Sequence, residues 1–132
     1  ETLKIRAEQQ QANAIRVANF LAAHPKVRKV CYLGLLTPSD PEFAIYQKQQ
    51  SGPGSLISFY IQSGEKEAFA FLDHLKLFRL AVSLGSTESL AQHPASMTHS
   101  GLTPEDKLLG EITDDLVAEL GKMSGQSELT KE

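Results

Sequence analysis

The sequence has 132 residues, of which 41% are hydrophobic and 22% charged, and its formal net charge at pH 7 is −3. These values fit one soluble globular domain with a core of its own, give no electrostatic basis for nucleic-acid binding, and leave no apolar run near the roughly 18 residues of a membrane span. The single cysteine, Cys31, excludes an internal disulfide and fits a reducing compartment, and the chain begins with Glu1 rather than Met, which suggests a fragment or a processed chain.

The first quarter of the chain predicts a long helix and a strand. Thr2 is a candidate N-cap of a helix that runs to about Ala23, and its predicted buried face consists of Leu3, Ala7, Ala14, Ala18 and Leu21 at helical spacing. Residues 27–33 are rich in good β formers and predict a strand, whose basic pair indicates an edge or a solvent-facing start.

The middle of the chain predicts two helices around one strand. Asp40 and Pro41 suit the N-cap and first position of a short helix that reaches Gln49. Residues 56–61 alternate in hydrophobicity and predict a half-buried strand. A helix with an apolar stripe is expected over residues 66–75.

The last part of the chain begins with an apolar run, residues 77–84, that predicts a buried strand ending at a glycine. We expect a helical turn over residues 87–92, a short helix within 103–110, a final helix over 114–123 and a polar, frayed tail at 124–132. Three strands with intervening helices make a small α/β layer, so the predicted fold class is α/β.

Candidate functional residues concentrate in residues 77–100, LFRLAVSLGSTESLAQHPASMTHS. A buried strand that delivers small polar groups at its C-terminal end often lines a site in α/β proteins, although composition alone favours plain capping and turning. Ser83 interrupts the apolar run, so its hydroxyl needs a partner if it is buried. His93 and His99 have no apparent acid or nucleophile partner, and we interpret both as structural. No metal-ligand spacing occurs, so no metal site is predicted.

The segment AVSLGSTESLAQHPASMTHS resembles the signature near the C-terminus of the trans-sulfuration enzymes, which are the pyridoxal-phosphate (PLP) enzymes of cysteine and methionine metabolism. Upstream segments resemble the same family as far as Glu1, so the resemblance covers about three quarters of the chain. It implies the C-terminal domain of a fold-type I PLP enzyme, with a mainly antiparallel sheet covered by helices. It also makes residues 1–23 the linking helix and places the cofactor domain, with its lysine, N-terminal to and outside this chain.

The resemblance implies substrate-binding roles and no catalytic residue in this chain. Ser83 matches a serine beside the cofactor-bearing lysine and the substrate carboxylate, which also makes it a cofactor-binding residue. Thr98 matches a threonine that steadies the carboxylate-binding arginine, and Leu84 falls in the same signature. Val82 stands where relatives that handle cystathionine tend to carry a glutamate, and an apolar neighbour suits a thioether better than a second ammonium group.

One part of the family pattern is not apparent in the sequence. The family follows its signature with a strand of the form Arg-Leu-Ser-Val-Gly, whose arginine binds the substrate carboxylate. In this chain LLGEITDDLVAEL is expected to run directly into the final helix, so the strand is either deleted or omitted between Gly110 and Thr113. Omission is favoured, because losing a central strand would expose the edges of its neighbours.

The resemblance therefore implies part of a PLP-dependent carbon–sulfur lyase that eliminates a sulfur substituent from an amino acid, as methionine γ-lyases and cystathionine γ-lyases do, with the cofactor as electron sink. The expected partners are a sulfur-containing amino acid, the PLP-binding domain and further copies in a homotetramer, in the cytoplasm, without nucleic acid or membrane. The alternatives are an O-acylhomoserine sulfhydrylase or cystathionine γ-synthase, and a non-catalytic remnant that only binds or scaffolds.

Overall fold

A mixed five-stranded sheet organises the part of the chain that the structure, a computed structural model, describes: residues 2–83, 85 and 87–120. The elements in chain order are α1 (Leu3–Ala23), β1 (Val27–Cys31), a 3₁₀ turn (Leu33–Leu35), α2 (Phe43–Gln49), β2 (Leu56–Ile61), α3 (Glu65–His74), β3 (Arg79–Leu80), β4 (Leu90–Gln92), α4 (Pro104–Leu109) and β5 (Leu116–Leu120). Helices and strands alternate along most of the chain, which confirms the α/β class.

The sheet has the order β1-β2-β5-β4-β3, so the last strand in the sequence lies at its centre. The β1–β2, β2–β5 and β5–β4 pairs are antiparallel, and only the β3–β4 pair is parallel. This arrangement confirms the expectation of a mainly antiparallel sheet with helices.

The core lies between one face of the sheet and the helices α1 and α3. It is built from buried apolar side chains of both helices and of alternate positions on the strands, among them Ala14, Ala18 and Leu21 of α1, Ala68 and Leu72 of α3, and Ile57, Phe59 and Val117 of the sheet. Only the second half of α1 contributes, because Leu3 and Ile5 near its start are exposed. The expectation that Leu3 belongs to the buried stripe is therefore wrong.

Several predicted elements are confirmed within a residue or two. These are α1, β2, α3 and α4. At α4 the predicted cap is in place, since the Thr103 hydroxyl accepts a hydrogen bond from the Asp106 amide at 3.2 Å and Pro104 occupies the first turn. At α1 the side chain of Thr2 makes no capping hydrogen bond.

The predicted buried strand over residues 77–84 is much shorter than its apolar run. Among the described residues of this run, only Arg79 and Leu80 form a strand, and they pair on one side because β3 is an edge strand beside β4. Leu80 is 54% exposed and Val82 53% exposed, so the run is not a buried strand. The predicted helical turn at 87–92 is also wrong, because Leu90–Gln92 forms β4 between β3 and β5.

The predicted final helix is wrong as well, because Leu116–Leu120 is the central strand β5. The segment in which the sequence suggested a missing strand thus does contain a strand, although β5 lacks the arginine of the family pattern. The main chain runs through residues 110–116 with hydrogen bonds from Ile112 N to Lys107 O at 2.8 Å and from Leu116 N to Thr113 O at 3.1 Å. Residues 121–123 of the predicted helix, and the predicted tail at 124–132, lie outside the described residues.

None of the described helices combines the length and the hydropathy required to cross a bilayer.

Candidate substrate-binding site

The site residues predicted from the sequence lie in segments that follow β3 and β4 at one end of the sheet. Because β3 and β4 are parallel, the segments that follow them emerge at the same end of the sheet. A hydrogen bond from Ala81 N to Ala91 O at 3.2 Å extends this pairing by one step. The antiparallel strand β5 begins at the same end. This end of the sheet, which we call the site edge, therefore carries three segments: Val82 and Ser83 after β3, the turn of residues 93–100 after β4, and the residues that lead into β5.

Ser83 and Val82 are both exposed at this edge. The loop after them turns at Gly85, whose φ of +79° is left-handed and suits glycine. The Gly85 carbonyl accepts a hydrogen bond from the Arg6 guanidinium of α1 at 3.2 Å, which ties the loop to the long helix. Leu84, the third candidate in this loop, lies outside the described residues.

Thr98 lies in the turn of residues 93–100 and is exposed. Its hydroxyl and the Nδ1 atom of His99 are 2.8 Å apart and share a hydrogen bond. The turn is closed by main-chain bonds from Met97 N to His93 O and from His99 N to Pro94 O, at 3.0 and 2.9 Å.

His93 is the fully buried residue at the start of this turn. Its Nδ1 atom is 2.8 Å from the Ser96 hydroxyl, and its Nε2 atom is 2.7 Å from the main-chain carbonyl of Asp114. The ring also contacts Phe69 of α3, with 4.7 Å between ring centroids. The sequence offers only a weak signal for these contacts, a serine three residues after the histidine, because Asp114 is 21 residues away.

Two ion pairs connect the segment that leads into β5 with strand β1. Arg28 donates from Nε and Nη2 to Asp115 Oδ2 at 3.2 and 2.6 Å, and Lys29 donates to Glu111 at 2.8 Å. Burial works against ionisation of Asp115, but hydrogen bonds from Thr113 and Arg28 outweigh it and hold the pKa of Asp115 below its ordinary value. The hydrogen bond from Lys29 likewise lowers the pKa of Glu111. Both carboxylates are therefore ionised, partnered groups that hold structure.

The strand β5 carries no arginine, and the whole sequence has none after Arg79. At its centre Ala118 pairs with Ser58 of β2 on one side and with Gln92 of β4 on the other. The Gln92 Oε1 atom is buried and has no hydrogen-bond partner among the described residues. The small side chain of Ala118 thus occupies the register position opposite this glutamine, and no guanidinium group stands at that position of β5.

The described residues contain no group of three or more histidine, cysteine, aspartate or glutamate side chains able to hold a metal ion.

A sequence model of the family described as Cys/Met metabolism PLP-dependent enzyme matches residues 1–118. The chain is 46% identical over 117 residues to an L-methionine γ-lyase of Porphyromonas gingivalis and 48% identical over 117 residues to one of Fusobacterium nucleatum subsp. nucleatum. Each match covers 89% of this chain and 29% of the relative, so the chain spans less than a third of their length.

A solved structure shares the fold. The cystathionine γ-synthase of Xanthomonas oryzae pv. oryzae, in complex with aminoacrylate and cysteine, superposes with a TM-score of 0.86 at 39% identity. The superposition covers 94% of this chain and 32% of that chain. The family match ends at residue 118, within β5.

Proposed function

We propose a function on one premise: this chain belongs to the family of Cys/Met metabolism PLP-dependent enzymes. The proposed whole enzyme eliminates the sulfur substituent of an amino acid by β- or γ-elimination, as a methionine γ-lyase does. The observation that carries this proposal is the 46–48% identity to two L-methionine γ-lyases, together with a family-model match over residues 1–118, which includes all the segments that meet at the site edge. PLP, when bound, supplies an electron sink for the carbanion formed from the substrate.

The role proposed for this chain is one wall of the substrate pocket. The exposure of Ser83 and Thr98 at one sheet edge supports it, because both hydroxyls are open to a ligand or to a second surface. Ser83 would donate to the substrate carboxylate or the cofactor, and Val82, 53% exposed, would contact the thioether of the substrate. Leu84 is retained as a substrate-binding residue by resemblance alone.

The cofactor lysine is proposed to lie in another domain. That domain would pack against this one, in a cytoplasmic homotetramer whose subunits each carry both domains. These residues suit a contributing wall rather than a complete cofactor site, since the edge presents hydroxyl and apolar groups to PLP and the Schiff-base lysine comes from elsewhere.

The test is a hybrid enzyme, in which this 132-residue chain is joined to the N-terminal cofactor domain of the Porphyromonas gingivalis enzyme. We expect the visible absorption band of bound PLP and release of a thiol from methionine. The Ser83→Ala variant should keep the band and lose at least about tenfold in kcat/KM, since one hydrogen bond to a charged group is removed. A hybrid that folds without a cofactor band would refute the proposal.

A second candidate reaction is replacement rather than elimination. The resemblance to a cystathionine γ-synthase of known structure supports it. Supplying the hybrid enzyme with O-acylhomoserine and a thiol, and separately with methionine, distinguishes the two by which substrate is consumed.

A third candidate is a non-catalytic remnant. The alanine in β5 opposite Gln92 favours it, because no guanidinium group stands there to hold a carboxylate. A hybrid enzyme that binds PLP but releases no thiol would select this candidate over both reactions.

A further inference from the structure

The buried imidazole of His93 bridges two parts of the candidate site. It is fully buried, and each ring nitrogen meets a different partner: the Ser96 hydroxyl at 2.8 Å and the Asp114 carbonyl at 2.7 Å. Phe69 of α3 packs against the ring. The side chain is thus held by its own turn, by the segment before β5 and by a core helix.

The Asp114 carbonyl fixes the role of one ring nitrogen. A main-chain carbonyl only accepts, so Nε2 must donate to Asp114. The Ser96 hydroxyl can donate or accept, so it serves as a partner of Nδ1 in either role. Both polar atoms of the buried ring therefore have hydrogen-bond partners.

The two partners belong to elements that the sequence keeps apart. Ser96 lies two residues before Thr98 in the turn of residues 93–100, and His93 also donates from its main-chain N–H to Met97 Sδ at 3.4 Å. Asp114 immediately precedes Asp115, which Arg28 holds at the entrance of β5. The ring therefore sets how far the Thr98 turn stands from the first residues of β5.

We propose that His93 is a positioning residue, whose buried imidazole sets the Thr98 turn against the entrance of β5 and so fixes the shape of this wall of the substrate pocket. This inference rests on the proposed function, according to which a substrate binds at the site edge that His93 positions. Loosening the link should weaken substrate binding more than the chemical step, since His93 reaches the site only through other residues.

The test uses two amide variants of the hybrid enzyme. Glutamine places its terminal N–H₂ group near the Nε2 position and keeps the bond to Asp114, whereas asparagine reaches only the Nδ1 position and loses it. We expect His93→Asn to raise KM for methionine about tenfold with kcat within about twofold, and His93→Gln to stay within about twofold in KM. His74→Gln is the matched control, because among the described residues that ring bonds only Ala70 of its own helix.

Hydrogen exchange by mass spectrometry gives a readout independent of activity. Exchange in His93→Asn should rise both in residues 94–100 and in residues 112–118, and it should rise in neither segment in the control. This pattern tests the link itself even in a hybrid enzyme that proves inactive, so failure of the proposed function remains distinguishable.

Specific outcomes would overturn the inference. Equal KM values in the asparagine and glutamine variants would do so, as would faster exchange confined to residues 94–100. Should His93→Asn fail to fold, His93→Gln tests the link by itself, because it keeps the donor to the Asp114 carbonyl. Exchange at residues 112–118 should then match wild type, and faster exchange there would refute the link.

Discussion

Asp115 is a mostly buried carboxylate whose ionised form the fold holds by direct hydrogen bonds. Its side chain is 14% exposed, while its partner Arg28 is 52% exposed. Because the pKa of Asp115 is lowered in the folded state, its ion pair contributes stability above the ordinary aspartate pKa, and this contribution is lost as the pH falls through the folded value.

We therefore expect Asp115→Asn to lower the free energy of unfolding by about 1 kcal/mol at neutral pH, since one partner of the pair is half exposed. The gap between wild type and variant should close as the pH falls below about 4, where the unfolded carboxylate begins to protonate. Chemical unfolding of the hybrid enzyme across this pH range measures it. Asp114→Asn is the control, because its exposed side chain changes while its carbonyl remains. A difference in unfolding free energy between wild type and Asp115→Asn that stays constant with pH would contradict the lowered pKa of Asp115.

Tyr32 behaves in the opposite sense at alkaline pH. Its hydroxyl donates to the Gly54 carbonyl at 2.8 Å, and burial, with a smaller contribution from Tyr46, raises the pKa of Tyr32 to about 12. The stability that this tyrosine contributes is complete below its ordinary pKa and is lost as the pH rises toward about 12.

Tyr32→Phe should therefore cost about 1 kcal/mol at neutral pH, because the Gly54 carbonyl loses its partner. It should also remove part of the alkaline destabilisation that wild type shows above about pH 10. Thermal unfolding as a function of pH measures both effects, with Tyr46→Phe as the comparison variant, because it removes only the smaller contribution to the pKa of Tyr32. An alkaline limb of equal steepness in wild type and Tyr32→Phe would contradict the raised pKa.

At the scale of elements, the strand β5 decides what the site edge can bind. Ala118 lies between Ser58 and Gln92 in the centre of the sheet, and the Gln92 Oε1 atom has no partner within the part of the chain that the structure describes. A guanidinium group at position 118 could donate to this oxygen and still bind a carboxylate, since arginine has five N–H donors.

We expect Ala118→Arg to lower KM for methionine in the hybrid enzyme by about tenfold, as bidentate carboxylate binding would. Ala118→Met is the control, because it adds similar length without donors and so reports the cost of overpacking. Steady-state kinetics of both variants measures the effect. An equal change in the two variants would show that the position has no access to the substrate carboxylate.

The same strand shows where sequence reasoning ends. The spacing of Leu116, Val117 and Leu120 fits a helical stripe, yet residues 116–118 are consecutively buried because β5 has strands on both sides. A short apolar run of this kind does not distinguish a central strand from a helix by its period. Tertiary pairing with β2 and β4, which local sequence does not encode, decides the outcome.

The elements that sequence did predict have strong local signals. The alternation of β2 and the Thr103-Pro104 start of α4 require no distant partner. The site divides in the same way. The sequence predicted Ser83 and Thr98 through resemblance, whereas the contact between His93 and Asp114 depends on how β4 and β5 pair.

At the scale of the whole molecule, exposed apolar side chains mark the surface next to the site edge. Leu3 and Ile5 of α1 are 71% and 67% exposed, and Leu80 and Val82 are 54% and 53% exposed. The bond from Arg6 to Gly85 brings the start of α1 beside the loop that follows β3. Because the chain spans less than a third of the relatives it matches, we expect a cofactor domain to cover this surface.

Comparing hydrogen exchange of this chain alone with that of the hybrid enzyme tests the expected contact. Exchange should slow in residues 3–9 and 79–83 of the hybrid, because covered main-chain amides open less often. Leu108 and Leu109 of α4 supply an internal control, since they are 72% and 87% exposed but belong neither to α1 nor to the segment around β3. Leu3→Asp with Ile5→Asp should weaken association of separately expressed domains, and Leu108→Asp with Leu109→Asp should not, because burying a carboxylate is costly only where a partner covers it. Equal association of both double variants would mean that the cofactor domain approaches from another side, and the exposed hydroxyls of Ser83 and Thr98 would then face solvent rather than a substrate.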